Sequence, residues 1–225
     1  MTIGSLRANL RWEALRWLRS QRLFLLTIPV VAGPIGSALA FLYFHVPDRS
    51  TALILGIFVT GGLSAIVVLD LASLMVGEDL SRRANLFHFT LPEPRWTILG
   101  GRLVLVLGAG LGAYAAGAAV VWGLASLLVP SPSGAPPPLL DPMHLAEGVA
   151  ALLLLLGAAT VTASILTRSA SEALVAGVLS AVVVAAATGY LLLQGQLTMV
   201  LPLVLLLSAL IAVGWSLVAY GRLES

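Results

Sequence analysis

The chain has 225 residues, 59% of them hydrophobic and only 10% charged, with a net charge of +2 and a mean hydropathy of +1.03. Soluble domains carry about 25% charged and about 45–50% apolar residues, so the composition excludes an ordinary soluble domain and predicts an all-α integral membrane protein. Cysteine is absent and all twelve basic residues are arginine; this excludes a disulfide framework and also the phosphate-binding loop of P-loop nucleotidases, which needs a lysine.

Residues 1–22 predict an amphipathic helix. Ile3, Leu6, Leu10, Ala14 and Trp17 recur at three- and four-residue spacing, while Arg7, Arg11, Arg19 and Arg22 fall on the other side. Such a helix lies along a membrane interface, arginines toward anionic headgroups and Trp17 at headgroup depth. Trp12, Leu15 and Leu18 fall off the stripe and are assigned to protein contact. The plainer alternative is an orientation signal ahead of the first span.

Six apolar runs follow, at 23–44, 52–76, 98–128, 148–167, 173–193 and 198–220, each long enough to cross about 30 Å of hydrocarbon as helix. Together they form one transmembrane domain over 1–225. Alternate loops share a side, and the arginines divide unevenly between the two. One side holds Arg7, Arg11, Arg16, Arg19, Arg22, Arg82, Arg83, Arg95, Arg102, Arg168 and Arg222; the other holds Arg49. Positive charge stays inside, so both termini and the loop at 77–97 are predicted to be cytoplasmic, in the cell membrane of a prokaryote. The lysine-free, Ala-, Leu-, Gly- and Val-rich composition points to the same source. Pro29 and Pro34 fall inside the first span and could break its helix, which keeps a secondary transporter open as an alternative. The outward loops are plain, with 129–146 proline-rich and irregular.

Polar residues within the spans are few. Asp70 lies about two turns from the inner end of the second span, where a carboxylate marks either a substrate or proton contact or a structural ion pair. Gly108 and Gly112, with Ala116 a turn further, form a small-residue packing face, within the bundle or between two copies. Neither His45, His88 nor His144 has metal-ligand spacing to carboxylates, and no Gly-x-Ser-x-Gly occurs. No catalytic, cofactor or metal residue is therefore assigned.

The one polar island is GEDLSRRANLFHFTLPEPRWTILGGRL, 77–103. Within it Leu80, Ala84, Phe87 and Leu91 share a helical face, Arg82 and Arg83 point away, and Pro92 and Pro94 end the helix. A short amphipathic helix braced between two spans suits docking into a groove on a partner.

The order of an amphipathic amino-terminal helix, two spans, Glu78 and then Leu91-Pro92-x-x-Arg95 leading to Gly101-Arg102 at the third span resembles the permeases of ABC-2 type transporters. The resemblance implies that 78–92 is similar to a coupling helix. In that role Glu78, Asp79, Arg82, Arg83, Phe87 and Leu91 would meet a separate cytoplasmic ATP-binding-cassette subunit, which binds ATP and Mg. It also implies two permease copies, identical or related, surrounded by lipid, with no nucleic acid and usually outward transport. The apolar spans favour a hydrophobic or amphipathic cargo. A secondary transporter without ATP remains an alternative, as does a membrane-embedded enzyme.

Overall fold

The computed structural model describes residues 10–15, 23–78, 95–129, 141–193 and 200–222. These are almost entirely helical (94%), with no strand among them. Seven helices result: α1 (Leu23–Thr27), α2 (Gly33–Tyr43), α3 (Arg49–Ala72), α4 (Arg95–Leu128), α5 (Pro142–Thr167), α6 (Ala170–Leu193) and α7 (Val200–Gly221), with a further helical stretch at 10–15.

The prolines of the first span widen its helix without breaking it. α1 and α2 are joined by a π turn, Ile28–Ala32, with Pro29 in its first positions. The Gly33 amide reaches five residues back to Ile28 O rather than four back to Pro29 O, and residue 34, a proline, has no N–H to offer. The wide turn absorbs both prolines, and the rod Phe24–Tyr43 stays continuous. A second π turn, Ser73–Glu78, extends the C-terminal end of α3.

Helix starts follow local capping rather than hydropathy. Asp48 caps α3, accepting from the Thr51 amide at 2.8 Å and from the Thr51 hydroxyl at 2.7 Å. Asp141 accepts from the Met143 amide and Pro142 opens α5, as favoured at a first helical position. α5 therefore begins six residues before the apolar run at 148, and His144, expected in a loop, lies in its first turn. α5 ends at Arg168, whose left-handed φ of 55° turns the chain directly into α6.

Five described helices, Phe24–Tyr43, Arg49–Gly77, Thr97–Leu128, Pro142–Thr167 and Pro202–Tyr220, are long and apolar enough to cross a membrane; α6 adds the shorter apolar stretch Ala170–Val184. α3 lies against α4 and α5, and α5 also packs on α6 and α7. The largest core cluster sits where α3 ends and α4 begins: Leu71, Met75, Val76, Leu99 and Leu103, with Ile165 and Tyr220. A smaller one, Phe41, Leu53, Val121 and Ala125, fills the opposite end.

Valines fill the space left by glycines in the interior: Val68 against Gly110, and Val149 against Gly61. Gly108 and Gly112 lie elsewhere on α4, with nothing within 4 Å of an added methyl. The small-residue face thus points away from the bundle of a single chain. α6 and α7 also turn apolar faces outward, including Val175, Leu179, Leu210 and Ile211.

Candidate functional site

The most unusual chemistry lies at the bundle end where α3 stops and α4 starts. Arg102 sits two turns into α4 and is fully buried. Its Nε donates to Glu13 Oε1 at 2.8 Å, the two side chains being 0% and 3% exposed. Its Nη1 donates to Met75 O at 3.3 Å. One guanidinium thus ties the helical stretch 10–15 to α4 and to the π turn.

Each partner is presented by its local structure. In the stretch 10–15, Leu10 and Ala14 are half-buried and Glu13 is buried, while Arg11 is exposed. The inward face therefore runs through 10, 13 and 14, with a carboxylate in the middle of an apolar stripe. Trp12 and Leu15, off the apolar stripe, are 49% and 45% exposed. Once Glu13 turns inward, the helical period turns its neighbours out. Met75 comes from the π turn, where wider winding loosens the regular hydrogen-bond ladder and tilts a carbonyl toward the guanidinium. Arginine suits this place because its planar fork can serve two acceptors at once.

The π turn has a second fixed contact. A methyl added to Gly77 would come within 2.7 Å of Ala170 Cα and 2.9 Å of its N. The end of α3 is thereby seated backbone to backbone on the first residue of α6. Parts of the chain remote in sequence converge here: the stretch 10–15, the π turn 73–78, the start of α4 and the α5–α6 junction.

Electrostatics make the pair costly. Burying an ion costs several kcal/mol even after relaxation, and mutual attraction repays it only with good geometry. Two apolar side chains of similar volume would often hold the same helices as well or better. Stability alone is thus a weak reason for a glutamate and an arginine at this position.

The residues singled out in the sequence fall variously. Glu78 is the last residue of the π turn, three positions beyond Met75. Asp79, Arg82, Arg83, Phe87 and Leu91 lie outside the described residues, as do Arg7, Trp17 and Arg19. Asp70 is half-buried near the end of α3, and its carbonyl accepts from the Ser73 hydroxyl at 2.9 Å. Glu13 was missed because a stripe is scored by its apolar members. Its signal was present all the same: one carboxylate on the apolar side of an arginine-rich helix, and one arginine inside an apolar run.

Other polar groups offer less. At the opposite end of the bundle, His144 Nδ1 lies 3.3 Å from Glu147 and Nε2 3.8 Å from Asp141. The carboxylates face opposite ring nitrogens, so they cannot share one ion with the imidazole, and no metal-holding group of three such residues occurs among the described residues. An open groove of about 320 Å³ on α6 is lined by Ser171, Glu172, Val175, Ala176 and Leu179. Thr162 and Ser216 hydrogen-bond across α5 and α7 at 2.6 Å, a contact that fastens two helices in an apolar medium.

Comparison with protein-family models, with curated proteins and with solved structures gave no match.

Proposed function

We propose that this chain is the permease subunit of an ATP-binding-cassette exporter of the ABC-2 type. It would have six spans, both termini in the cytoplasm, an amino-terminal interfacial helix and a coupling helix within 78–92. The observation that carries the reading is the Arg102 node. Glu78 and Arg95 are the described residues on either side of 79–94, and the helical segments that carry them meet at one buried guanidinium, through Met75 O and Arg102 itself. A segment so anchored would pass a push into α3 and α4 instead of dissipating it in a loose connection.

The energy source in this reading is a separate subunit, because the lysine-free chain cannot build a nucleotide-binding P-loop. Two permeases and two ATPases would make the working transporter, moving a hydrophobic or amphipathic cargo outward. This chain would act as a transport subunit, without catalytic residues or a bound cofactor of its own.

The test is copurification of the permease with the ATP-binding-cassette subunit that it stimulates, followed by R82E/R83E. The expected outcome is at least a tenfold loss of association, with the permease still folded. Association and stimulation equal to the parent would overturn 78–92 as the docking segment. The second reading, a secondary transporter, would rest on the local widening of the first span at Pro29, which leaves that helix continuous. Transport that persists without nucleotide would decide for it.

A further inference from the structure

We infer that the first span and α3 share a seat for one water molecule, held between the Thr60 hydroxyl and the Pro29 carbonyl where both meet α4.

Serine and threonine inside helices can bond a carbonyl one turn back, and several buried ones do so in this bundle. Ser37 donates to Gly33 O at 2.7 Å, Ser64 to Thr60 O at 2.8 Å and Thr160 to Leu156 O at 2.8 Å. Thr60 is as deeply buried, at 0% exposure, yet its Oγ1 has no hydrogen-bond partner. The side chain is turned so that Oγ1 lies 3.0 Å from where a methyl on Gly33 would stand, and Cγ2 lies 2.7 Å from one on Gly117. The hydroxyl thus faces the first span and the methyl faces α4. A polar group left bare in an apolar interior is costly.

The carbonyl is stranded by the two prolines. Its regular partner, the Gly33 amide, goes to Ile28 O instead, and the next residue, Pro34, has no N–H. Pro29 is buried, and its carbonyl points at α4, where a methyl on Gly117 would run into it. A hydroxyl and a carbonyl, each lacking a partner within its own helix, therefore border the same contact around Gly117.

One water answers both. It accepts from the Thr60 hydroxyl and donates to Pro29 O, and two partners fall within the range of about 2–4 that ordered buried waters have. Ordered water is also one of the groups that re-satisfy backbone freed by proline inside a membrane helix. A cation fits less well. The nearest carboxylate along α3 is Asp70, ten residues on and so about 15 Å away, and two neutral oxygens do not balance a charge taken out of water. The water takes the place of the helix bond that Pro34 removes, so the widened turn leaves no bare carbonyl in hydrocarbon.

The seat is tested on the purified full chain through its unfolding temperature, because the sign of one substitution decides. T60V keeps the shape and removes the hydroxyl. If the hydroxyl were simply unpaired, an apolar replacement would be neutral or stabilising; if it holds a water, T60V strands Pro29 O. The expected result is a fall of about 2–4 °C, the shift for one lost buried hydrogen bond in a chain of this size. An unchanged or raised unfolding temperature would overturn the seat.

P34A supplies the specific control, since it restores an N–H that can reach Pro29 O. In the P34A background T60V should lose at least half of its effect, and an undiminished effect would overturn the link to Pro29. Should T60V alone not fold, recovery of folding in P34A/T60V supports the seat and failure of both overturns it. Exchanging sodium for choline in the buffer should leave the gap between parent and T60V as it was. A gap seen only with sodium would overturn water as the occupant in favour of a cation.

Discussion

Asp48 is the residue whose role is plainest. Its carboxylate accepts from the Thr51 amide and from the Thr51 hydroxyl at the first turn of α3. The amide bond is the main reason its pKa falls below 3.8; the hydroxyl bond adds to it, and slight burial opposes it. A pKa depressed on folding contributes stability above the unfolded value, and that contribution is lost as pH falls through the folded one. D48A should therefore cost about 1 kcal/mol at neutral pH, and the gap between parent and variant should close below pH 3.8. Unfolding by denaturant at pH 7 and at pH 3 checks both points; a gap independent of pH would show that the cap does not act through the ionised carboxylate. At the same scale, Glu13 marks the limit of reading residues singly. An arginine inside an apolar run and a carboxylate on an apolar stripe are each legible, but only the folded chain brings them within 2.8 Å of each other.

At the scale of elements, five apolar helices long enough to cross a membrane were readable, and boundaries less so. Hydropathy placed the start of the fourth span at 148, whereas Asp141 and Pro142 start α5 earlier, because a cap acts through one hydrogen bond and not through average apolarity. Two prolines in the first span announced an irregularity without its form, which depends on what α4 presents. That partner is Gly117: a methyl added there would run into Pro29 O and come within 2.7 Å of Thr60 Cγ2. The π turn can rest its carbonyl on α4 only because no side chain stands between them. G117A should thus push α1 and α2 away from the bundle, at a cost of about 1–3 kcal/mol for an overfilled contact. G112A provides the control on the same helix, since its added methyl meets nothing within 4 Å; its effect should stay within about 0.5 kcal/mol, as for a substitution free of contacts. Equal unfolding temperatures for G117A and G112A would mean that the π turn does not depend on this approach.

For the whole molecule, the sequence made an apolar, multi-span helical protein legible, because lipid tolerates unbroken apolar helices and water does not. It also carries an orientation argument that packing cannot replace, since a bundle is equally well packed either way up. Under the proposed orientation, the arginine asymmetry would put the end holding Arg102, Gly77 and Arg168 in the cytoplasm and the first turn of α5 outside. α5 has 26 residues, about 39 Å of helix, so its two ends lie on opposite sides of a membrane if it spans one. Met143, 55% exposed at one end, and Ser171, exposed just past the other, therefore report opposite faces. In a cysteine-free chain M143C and S171C are each the sole thiol. An impermeant maleimide applied to intact cells should label M143C fully, and should label S171C only after permeabilisation. The reverse pattern would turn the protein over, put the Arg102 node outside, and remove it from the reach of any cytoplasmic ATPase. Labelling of both in intact cells would show that α5 does not cross the membrane at all. Sidedness is therefore the broadest single test of the transport reading, because the proposed docking at 78–92 requires that this end face the compartment where ATP is found.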